Sequence, residues 1–497
     1  IQWTRLFPEV SRGQAFQEAQ RRNQDMQDPM ALKVIGRKPR PRPATKALTV
    51  GAGLLVASLP LQAVQLEDVG ETELQIQTGK YIDTICPQMK AIEDQLNDDE
   101  LRLLNRCGGA KFDQEREGFT EDDGPGVLQR LSPEETLTVG SGRTDTALKA
   151  DIDSRLDAVR AGISGVTISG VQWDGDSGMT GGTAGADDFK RWGFFLNGVY
   201  ATGDKDTRRN ENGFDYDAYG LTTGIDYRFS DQWVGGVAYG YVDTDADIDD
   251  DQGAVSSSQP RAGEGKQESE SHSLAFYGTW YSDNFYADGA LSFSTIDIDG
   301  ERSIQYGEVN QTAKTDTDAD QWAASIGGGY NHHWGGPWNA RYFGRIDYVD
   351  VEIDGYSEKA RQTSASGSNP SDPSEDLDSL IMSIGDQDIE SLQSVLGANV
   401  TYVANQDWGV LTPYLTAQWH HEFEDDSRVI TAKYVFDPTN DVLRFTSNDP
   451  DEDFFRISLG LNSVLKGGTQ VFINYDTVAG LRDVDHHAFT AGFRIEF

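Results

Sequence analysis

The sequence has little positive charge, little cysteine and few long apolar runs, and each shortage excludes a class of protein. It contains 42 lysines and arginines against 82 aspartates and glutamates, which gives a net charge of −40 at pH 7. A protein that binds nucleic acid needs lysine and arginine to displace counterions from the phosphates. The charge balance therefore excludes nucleic acid as a partner, and it indicates extensive solvated acidic loops.

The sequence has one continuously apolar stretch, residues 47–61, which is shorter than the ~20 residues that a membrane-spanning helix needs. Six basic residues at positions 33–46 precede it and Leu61-Gln62-Ala63 follows, which is the order of a secretory signal peptide. We therefore expect residues 1–63 to be a leader and signal-peptide region, with residues 1–32 a leader extension or an upstream mis-start. The lack of a later apolar helix does not exclude a membrane protein, because barrel strands have a weak hydropathy signal.

The two cysteines, Cys86 and Cys107, both lie in residues 64–142, a region of helical character. In an exported protein, an isolated pair is most simply a structural disulfide between two short helices. A metal site would need further ligands, and a redox pair would need Cys-x-x-Cys spacing. The sequence Ser132-Pro133-Glu134-Glu135 is typical of a helix start. We expect residues 64–142 to form a short helical, disulfide-linked N-terminal segment.

Residues 144–163 have the apolar periodicity of an amphipathic helix. The apolar stripe consists of Leu148, Ile152, Leu156, Val159 and Ile163, and the charged surface includes Arg155 and Arg160. At about 1.5 Å per residue this helix would be about 30 Å long, roughly one hydrocarbon thickness. Two interpretations are open: an ordinary helix of a small domain, or a pore helix inside a barrel. Residues 143–190 would then contain this helix and a linker rich in Gly, Asp and Thr.

From residue 191 to 497 the sequence alternates between apolar and polar residues at period two. The clearest example is the last strand, where one face consists of Phe489, Ala491, Phe493, Ile495 and Phe497. Such a face would promote aggregation on a soluble edge strand. It suits a strand that contacts lipid and turns its small or charged residues towards a polar lumen. The last strand of a soluble sandwich is the alternative.

Short and long connections alternate along the same region. The tight turns are Ser230-Asp231, Asp283, Gly335-Gly336, Asn405-Gln406 and Lys466-Gly467. The longer polar segments are 203–213, 246–269, 299–318, 354–388 and 424–452, with a shorter one at 479–485. This pattern is typical of periplasmic turns and extracellular loops. Tryptophans beside the short turns fit an interfacial girdle; they are Trp233, Trp334, Trp338 and Trp408. Residues 429–436 are assigned to a hairpin arm within a loop, because a thirteenth strand would make the barrel odd-numbered.

The sequence therefore predicts an all-β fold. Residues 191–497 form a 12-stranded antiparallel transmembrane β-barrel, accompanied by a pore-lining α-helix and a small N-terminal helical segment.

Five pieces in a fixed order resemble the translocator domain of classical autotransporters, the type V secretion proteins. They are Ala147–Gly162, Gly193-Phe194-Phe195, Gly220–Phe229, Pro413–Leu415 leading to Trp419–Phe423, and Gly492–Phe497. The resemblance implies a barrel of the Gram-negative outer membrane, in contact with lipid and lipopolysaccharide, whose pore holds the helix. It also implies insertion by periplasmic chaperones and the barrel-assembly machinery, which would recognise the last strand through Phe489, Phe493, Ile495 and Phe497. We expect a monomer.

The resemblance leaves two functions open. The first is a translocator, plugged by its own helix, that displays or anchors residues 64–142 in place of a passenger. The second is a structural or channel-forming barrel, similar to a porin, with a periplasmic N-terminal cap. The segment is short and helical where typical passengers are long β-helices or enzyme domains. A bridged helix pair is also bulky for a lumen shared with another segment, which favours the periplasmic location.

No residue set in the sequence selects a catalytic centre, a metal site or a cofactor, and we expect no enzymatic activity. The histidine pairs at 332/333, 420/421 and 486/487 would face opposite sides of a strand, so they cannot chelate jointly. A hydrolase pair of Ser427 with His420 or His421 has no supporting local pattern. The aspartates of 243–251 offer oxygen ligands for Ca²⁺ or Mg²⁺ but lack the Gly at position six and the terminal Glu of an EF-hand loop. A solvated acidic loop is the simpler interpretation, and diffuse divalent binding that bridges to lipopolysaccharide is the alternative. Arg155 and Arg160 are expected to pair with barrel acids; the candidates are Asp226, Asp288 and Glu496.

Overall fold

The computed structural model describes two parts of the chain, one before residue 133 and one from residue 191 onwards. The described residues are 66, 70, 72–110, 128, 131–132, 191–206, 213–230, 232–248, 265–282, 284–306, 309–364, 369, 372, 374–466, 468–482 and 484–497. All of them belong to one compact unit, residues 62–497. The predicted signal-peptide region, the helix 144–163 and the linker that follows it lie outside the described residues.

Twelve long strands occur in the described part of the chain, and each pairs antiparallel with the next. They are β1 (Trp192–Lys205), β2 (Phe214–Arg228), β3 (Trp233–Ile248), β4 (Gly265–Ser282), β5 (Phe285–Tyr306), β6 (Val309–His333), β7 (Trp338–Ile353), β8 (Gln387–Tyr402), β9 (Gly409–Glu422), β10 (Asp453–Leu465), β11 (Gln470–Ala479) and β12 (Val484–Glu496). β1 also pairs with β12, from Gly193 opposite Glu496 to Lys205 opposite Val484. The sheet therefore closes on itself, and the predicted 12-stranded antiparallel barrel is confirmed.

The strands alternate in exposure, as β12 illustrates. Phe489, Ile495 and Phe497 are 52%, 40% and 62% exposed on the outer face, whereas Thr490 and Arg494 are buried on the inner face. An apolar outer wall around a polar interior is the arrangement of a barrel in lipid. The last strand is thus divided between its two faces as predicted, and its role as an assembly signal stays a prediction.

Exposed aromatic residues form two belts around the barrel. At the end with the short turns they are Trp192, Trp233, Trp334, Trp338 and Trp408, and nearer the long connections they include Tyr219, Tyr239, Phe293, Trp322 and Phe489. The stretch from Trp322 on β6 to Trp334, which directly follows this strand, is roughly 40 Å long at ~3.3 Å per residue. A strand tilt of ~40° reduces this to about 30 Å, close to the ~25 Å apolar band of outer-membrane barrels.

The predicted loop at 299–318 is wrong, because these residues continue β5 and β6. The two strands remain paired beyond the outer aromatic belt until Tyr306 faces Val309. Ile298 and Ile304 are buried on the inner face of this extension. The outer positions are polar, and the acidic ones are Asp299, Glu301, Asp316 and Asp318. The outer face of this extension meets water rather than lipid, so its residues are polar, as in a loop. The alternation at period two is nevertheless that of a strand.

In the described part of the chain before the barrel, two α-helices are present: α1 (Glu73–Ala91) and α2 (Asp98–Ala110). A capping box starts α1, because the Thr72 hydroxyl accepts from the Gln75 amide and the Gln75 side chain accepts from the Thr72 amide. The Asn97 side chain caps α2 by accepting two backbone amides of its first turn. Among the described residues, no helix is both long and apolar enough to cross a membrane.

The Cys86–Cys107 disulfide joins the two helices, as the sequence predicts. Ser132, predicted as a helix cap, donates its hydroxyl to Leu128 O at 2.7 Å, and the helix that it would start lies outside the described residues. We call the described residues between 66 and 132 the N-terminal module.

Two long connections form a second, four-stranded sheet outside the barrel. Its strands are Tyr356–Ser357, Met382–Ile384, Val429–Tyr434 and Leu443–Thr446. The central pairing joins the connection between β7 and β8 to the connection between β9 and β10, and it contains the predicted hairpin arm. We call the described residues of 302–313, 354–386 and 423–452 the loop platform.

An ion pair crosses the strand at which the barrel closes. Arg494 Nη2 on β12 lies 2.7 Å from Asp226 Oδ1 on β2, and Arg494 Nη1 lies 2.5 Å from Glu496 Oε1. β1 runs between them, and a Cβ atom on its Gly193 would lie 2.5 Å from Arg494 Nη2 and 2.6 Å from Asp226 Oδ1. Glycine therefore leaves the room that the bridge needs. Arg494, a wall residue of the barrel, thus pairs with both Asp226 and Glu496. Arg155 and Arg160, the partners suggested for these acids by the sequence, lie outside the described residues.

We predict that Arg494→Gln lowers the free energy of unfolding by about 3 kcal/mol, because the buried Asp226 carboxylate loses its cation. The double variant Arg494→Gln/Asp226→Asn removes both charges and should recover most of that loss. Urea unfolding of the barrel in detergent micelles, followed by tryptophan fluorescence, measures both values. Equal losses in the single and double variants would contradict the role given to this bridge.

Carboxylates face each other across the strands beyond the outer aromatic belt. Asp297 lies opposite Asp318, and Glu301 lies opposite Lys314 in the same hairpin. The pKa of Asp318 is raised, chiefly because its carboxyl shares a hydrogen bond with the Asp297 carboxyl. Partial burial and the neighbouring acids raise it further. The hydrogen bond from Lys314 lowers the pKa of Glu301. The two positions therefore contribute to stability with opposite sign.

We predict that Asp318→Asn raises the free energy of unfolding at pH 7 by roughly 0.2–1 kcal/mol and that Glu301→Gln lowers it by a similar amount. A raised pKa in the native state means that stability falls as the pH rises through the carboxylate range, so the gain from Asp318→Asn should disappear in acid. Added NaCl should reduce both effects by screening. Urea titrations at several pH values test the pair, and effects of the same sign would contradict the charge argument.

Candidate functional site: the lumen and the loop platform

The lumen wall carries charged groups that pair with one another. Arg345 Nε lies 2.5 Å from Asp347 Oδ2, and the Ser325 hydroxyl donates to Asp347 Oδ1 at 2.7 Å. Arg456 Nε on β10 lies 3.5 Å from Asp476 Oδ1 on β11. These side chains are buried, and ordered pairs of this kind give the lumen a fixed polar surface.

The adjacent histidines of β9 face opposite sides of the strand, as predicted. His420 is buried in the wall, with its Nδ1 3.2 Å from Gln393 Oε1. His421 points outwards, with its Nδ1 3.0 Å from Asp453 Oδ1. Each imidazole is thus engaged by a neighbouring strand. Among the described residues, no group of three or more His, Cys, Asp or Glu side chains is arranged to hold a metal ion.

Some amide side chains of the wall have buried polar atoms that lack a hydrogen-bond partner among the described residues. They include Asn197, Gln321, Gln418 and Asn462, which are 3–4% exposed. A buried amide without a partner is costly. These positions would therefore stabilise a polar occupant of the lumen. The predicted pore-helix residues lie outside the described residues; they are Leu148, Ile152, Arg155, Leu156, Val159 and Arg160.

The N-terminal module packs on the loop platform, at the barrel end opposite the short turns. One apolar cluster contains side chains of both. The module contributes Leu74, Ile82, Ile85, Met89, Leu103, Leu104, Leu128 and Leu131, and the platform contributes Ile304, Val309, Leu380, Met382, Ile384, Ile430, Tyr434, Leu443 and Phe445. Both cysteines belong to this cluster, so the disulfide fixes the two helices where they meet the platform.

Two arginines of α2 form ion pairs with two carboxylates of the platform, Asp376 and Asp378. We call these two carboxylates the acidic socket. Arg106 Nε lies 3.0 Å from Asp376 Oδ2, and Arg102 Nη2 lies 2.9 Å from Asp378 Oδ1. The Arg106 and Asp376 side chains are 7% and 0% exposed. Since the arginines are four positions apart, they lie on the same face of α2. Charges this deeply buried are stable only when both partners are present.

Tyr81 of α1 makes a second polar contact with the platform. Its hydroxyl donates to Asp437 Oδ2 at 2.7 Å and accepts from the Tyr434 amide at 3.3 Å. The rings of Tyr81 and Tyr434 stack with their centroids 5.8 Å apart. Burial, reinforced by the Asp437 carboxylate, raises the pKa of the Tyr81 hydroxyl. The phenol therefore stays a protonated donor at physiological pH.

Arg302, on the extension of β5, holds the end of the module. It donates to Glu358 Oε1 at 2.9 Å, to Leu380 O at 3.1 Å and to Ser132 O of the module at 3.2 Å. The Tyr434 hydroxyl donates to Leu131 O at 2.9 Å. The last described residues of the module are thereby fixed at the long-connection end of the barrel.

Sequence reasoning missed these docking residues. Asp376, Asp378 and Asp437 occupy polar connections, where acidic side chains are ordinarily solvated. The spacing of Arg102 and Arg106 was a weak signal, because two arginines on one helix face can share an acidic partner. Nothing in the sequence selects that partner from among 82 acidic residues.

The sequence model of the autotransporter β-domain matches residues 194–476. Among curated proteins, esterase EstA of Pseudomonas aeruginosa is 26% identical over 284 residues, which are 55% of this chain and 38% of that protein. An uncharacterized protein from the trpE–trpG intergenic region of Pseudomonas putida is 27% identical over 243 residues, which are 47% of this chain and 36% of that protein. The chain thus spans well under half the length of these relatives.

Two solved structures are similar in outline. The translocator domain of the autotransporter NalP from Neisseria meningitidis has 14% identity and a TM-score of 0.49, covering 72% of this chain and 99% of that one. The β domain of the Bordetella autotransporter BrkA has 16% identity and a TM-score of 0.40, covering 61% and 99%. The family match extends over more than half of the chain and coincides with the closed barrel. The chain belongs to the autotransporter β-domain family and is a barrel of the Gram-negative outer membrane.

Proposed function

We propose that this chain is a translocator that exports its short N-terminal module and keeps it docked on the extracellular loops of the barrel. The observation that carries the proposal is the apolar cluster shared by the module and the long connections. In outer-membrane barrels the short turns face the periplasm and the longer loops face the cell exterior. A module docked on the long connections lies outside the cell.

This location differs from the periplasmic one that the bulk of the helix pair favours. A periplasmic cap would contact short turns such as Gly335-Gly336, whereas the contacts of the module described above are with the loop platform. The bulk argument holds only for a module that is already folded and bridged inside the lumen. We propose that the module crosses the barrel as an unfolded chain and that the Cys86–Cys107 bridge forms outside.

The course of the chain supports a lumenal helix. Ser132 is held at the long-connection end by Arg302, and Trp192 pairs with Phe497 at the short-turn end. Residues 133–190 must connect the two ends, through lipid or through the lumen. Charged residues such as Arg155 and Arg160 exclude lipid. A helix over 144–163, about 30 Å long, would cross the lumen, and the unpartnered wall amides would receive its polar side chains.

The proposed division of the chain follows from this path. Residues 1–63 are the leader and signal-peptide region, 64–142 the displayed segment, 143–190 the pore helix and linker, and 191–497 the barrel. We propose that the barrel inserts as a monomer with the help of periplasmic chaperones and the barrel-assembly machinery. The outward-facing aromatic side chains of β12 would serve as the assembly signal.

We propose a displaying role rather than an enzymatic one. The relative EstA is named an esterase, and that name describes EstA itself. The residues that align with this chain are 38% of the length of EstA. The described residues before the barrel pack on the loop platform through their buried side chains. An activity of the displayed segment would have to reside on its solvent-facing side.

Protease treatment of whole cells tests the location of the module. An epitope tag belongs in the exposed turn after Asp94, because Gln75 near the start of α1 is buried. We expect protease to remove this tag from intact cells. A matched tag between Gly335 and Gly336 should survive until the outer membrane is permeabilised. Protection of both tags in intact cells would overturn surface display and favour a periplasmic module.

Single-channel recording in planar bilayers tests the plug. We expect low conductance from the intact chain and a several-fold increase after deletion of residues 144–163, because the deletion empties the lumen. Unchanged conductance would place the helix elsewhere. Substantial conductance of the intact chain would favour the channel-forming alternative.

A further inference from the structure

We infer that the loop platform is a receptor that retains the N-terminal module without a covalent link. Cleavage of the chain between Ser132 and the pore helix would therefore leave the module bound to the barrel. The inference rests on the proposed function and goes beyond it, because it distinguishes lasting display from release.

At the apolar part of the interface, side chains of both the module and the platform are buried. Met89 and Ile85 of the module are 0% and 1% exposed, and Met382, Ile430 and Leu443 of the platform are 0%, 1% and 1% exposed. Without the module, these platform side chains would form a contiguous apolar patch at the outer end of the barrel. Patches of this kind on soluble surfaces mark sites that a partner covers.

The polar contacts supply specificity. The acidic socket receives Arg106 and Arg102 in a region where Asp376 has no solvent exposure. Dissociation of the module would leave this carboxylate without its two cations. Losing one partner of a buried charge pair mainly speeds dissociation. The platform and the module thus have complementary charge as well as complementary apolar surface.

Three separate elements of the platform hold the module. The acidic socket belongs to the connection between β7 and β8, Asp437 to the connection between β9 and β10, and Arg302 to the β5–β6 hairpin. Attachment at several points gives slow release, because all of them must open together. The covalent link through residues 133–190 is therefore not required for retention once the module has docked.

A cleavage experiment on the full chain tests this inference. A tobacco etch virus protease site is inserted between Gly140 and Ser141, in a chain that carries the epitope tag after Asp94. Intact cells are treated with the protease and sedimented. We expect at least ten times more tag in the cell pellet than in the supernatant.

Variants of the polar contacts should convert retention into release. After cleavage, Arg102→Gln/Arg106→Gln on the module and Asp376→Asn on the platform should each raise the released fraction several-fold. Lys90→Gln is the matched control, because Lys90 pairs only with Glu93 among its described ion-pair partners and is exposed. An intact Cys86–Cys107 bridge and full-length tag before cleavage establish that each variant has a folded module.

If the module is released after cleavage of the chain that carries none of these substitutions, the inference is overturned. Failure of the protease to cut intact cells, together with protection of the tag after Asp94 in the whole-cell protease test, would instead overturn the surface location of the module, so the two failures are distinct. The same cleavage on purified protein in detergent, followed by size exclusion, tests retention wherever the module lies. Elution of the cut fragments as separate species would contradict the inference in that setting too.

Discussion

The whole structure depends on the pairing of the first strand with the last. In hydrocarbon, every backbone N–H and C=O must find a partner within the protein, so a sheet can cross a membrane only if it has no edge. The pairing of β1 with β12 removes that edge. The bridge from Arg494 to Asp226 passes over Gly193 at this seam and joins β12 to β2 across β1. Closure creates both the lipid-facing wall and the polar lumen.

The outer end of the barrel has a different physical character. Beyond the aromatic belt the outer face of the strands is acidic and meets water, whereas the inner face of the β5–β6 extension is apolar. That inner face, together with the four-stranded sheet of the two long connections, forms a small soluble core with α1 and α2. One chain therefore contains two kinds of core: a polar lumen within the membrane and an ordinary apolar core above it.

Docking of the module gives the long connections a structural role. Loops that would otherwise be solvated are ordered around Arg302, which binds Glu358, Leu380 and Ser132. The disulfide Cys86–Cys107 holds the two helices in the arrangement that the platform receives. The module is at once the cargo of the barrel, in the proposed function, and a component of its outer surface.

The sequence by itself determined the elements with strong local periodicity. The barrel strands follow from alternation at period two, their lipid face from the aromatic side of residues such as Phe489, and the disulfide from the isolation of Cys86 and Cys107. The extension at 299–318 was missed because an outer face in water has the composition of a loop. Only the tertiary structure decided that Arg494 pairs with Asp226, and that Arg102 and Arg106 meet Asp376 and Asp378. Those pairs join residues more than 250 positions apart, and local sequence pattern contains no information about which of many equivalent charges the fold will bring together.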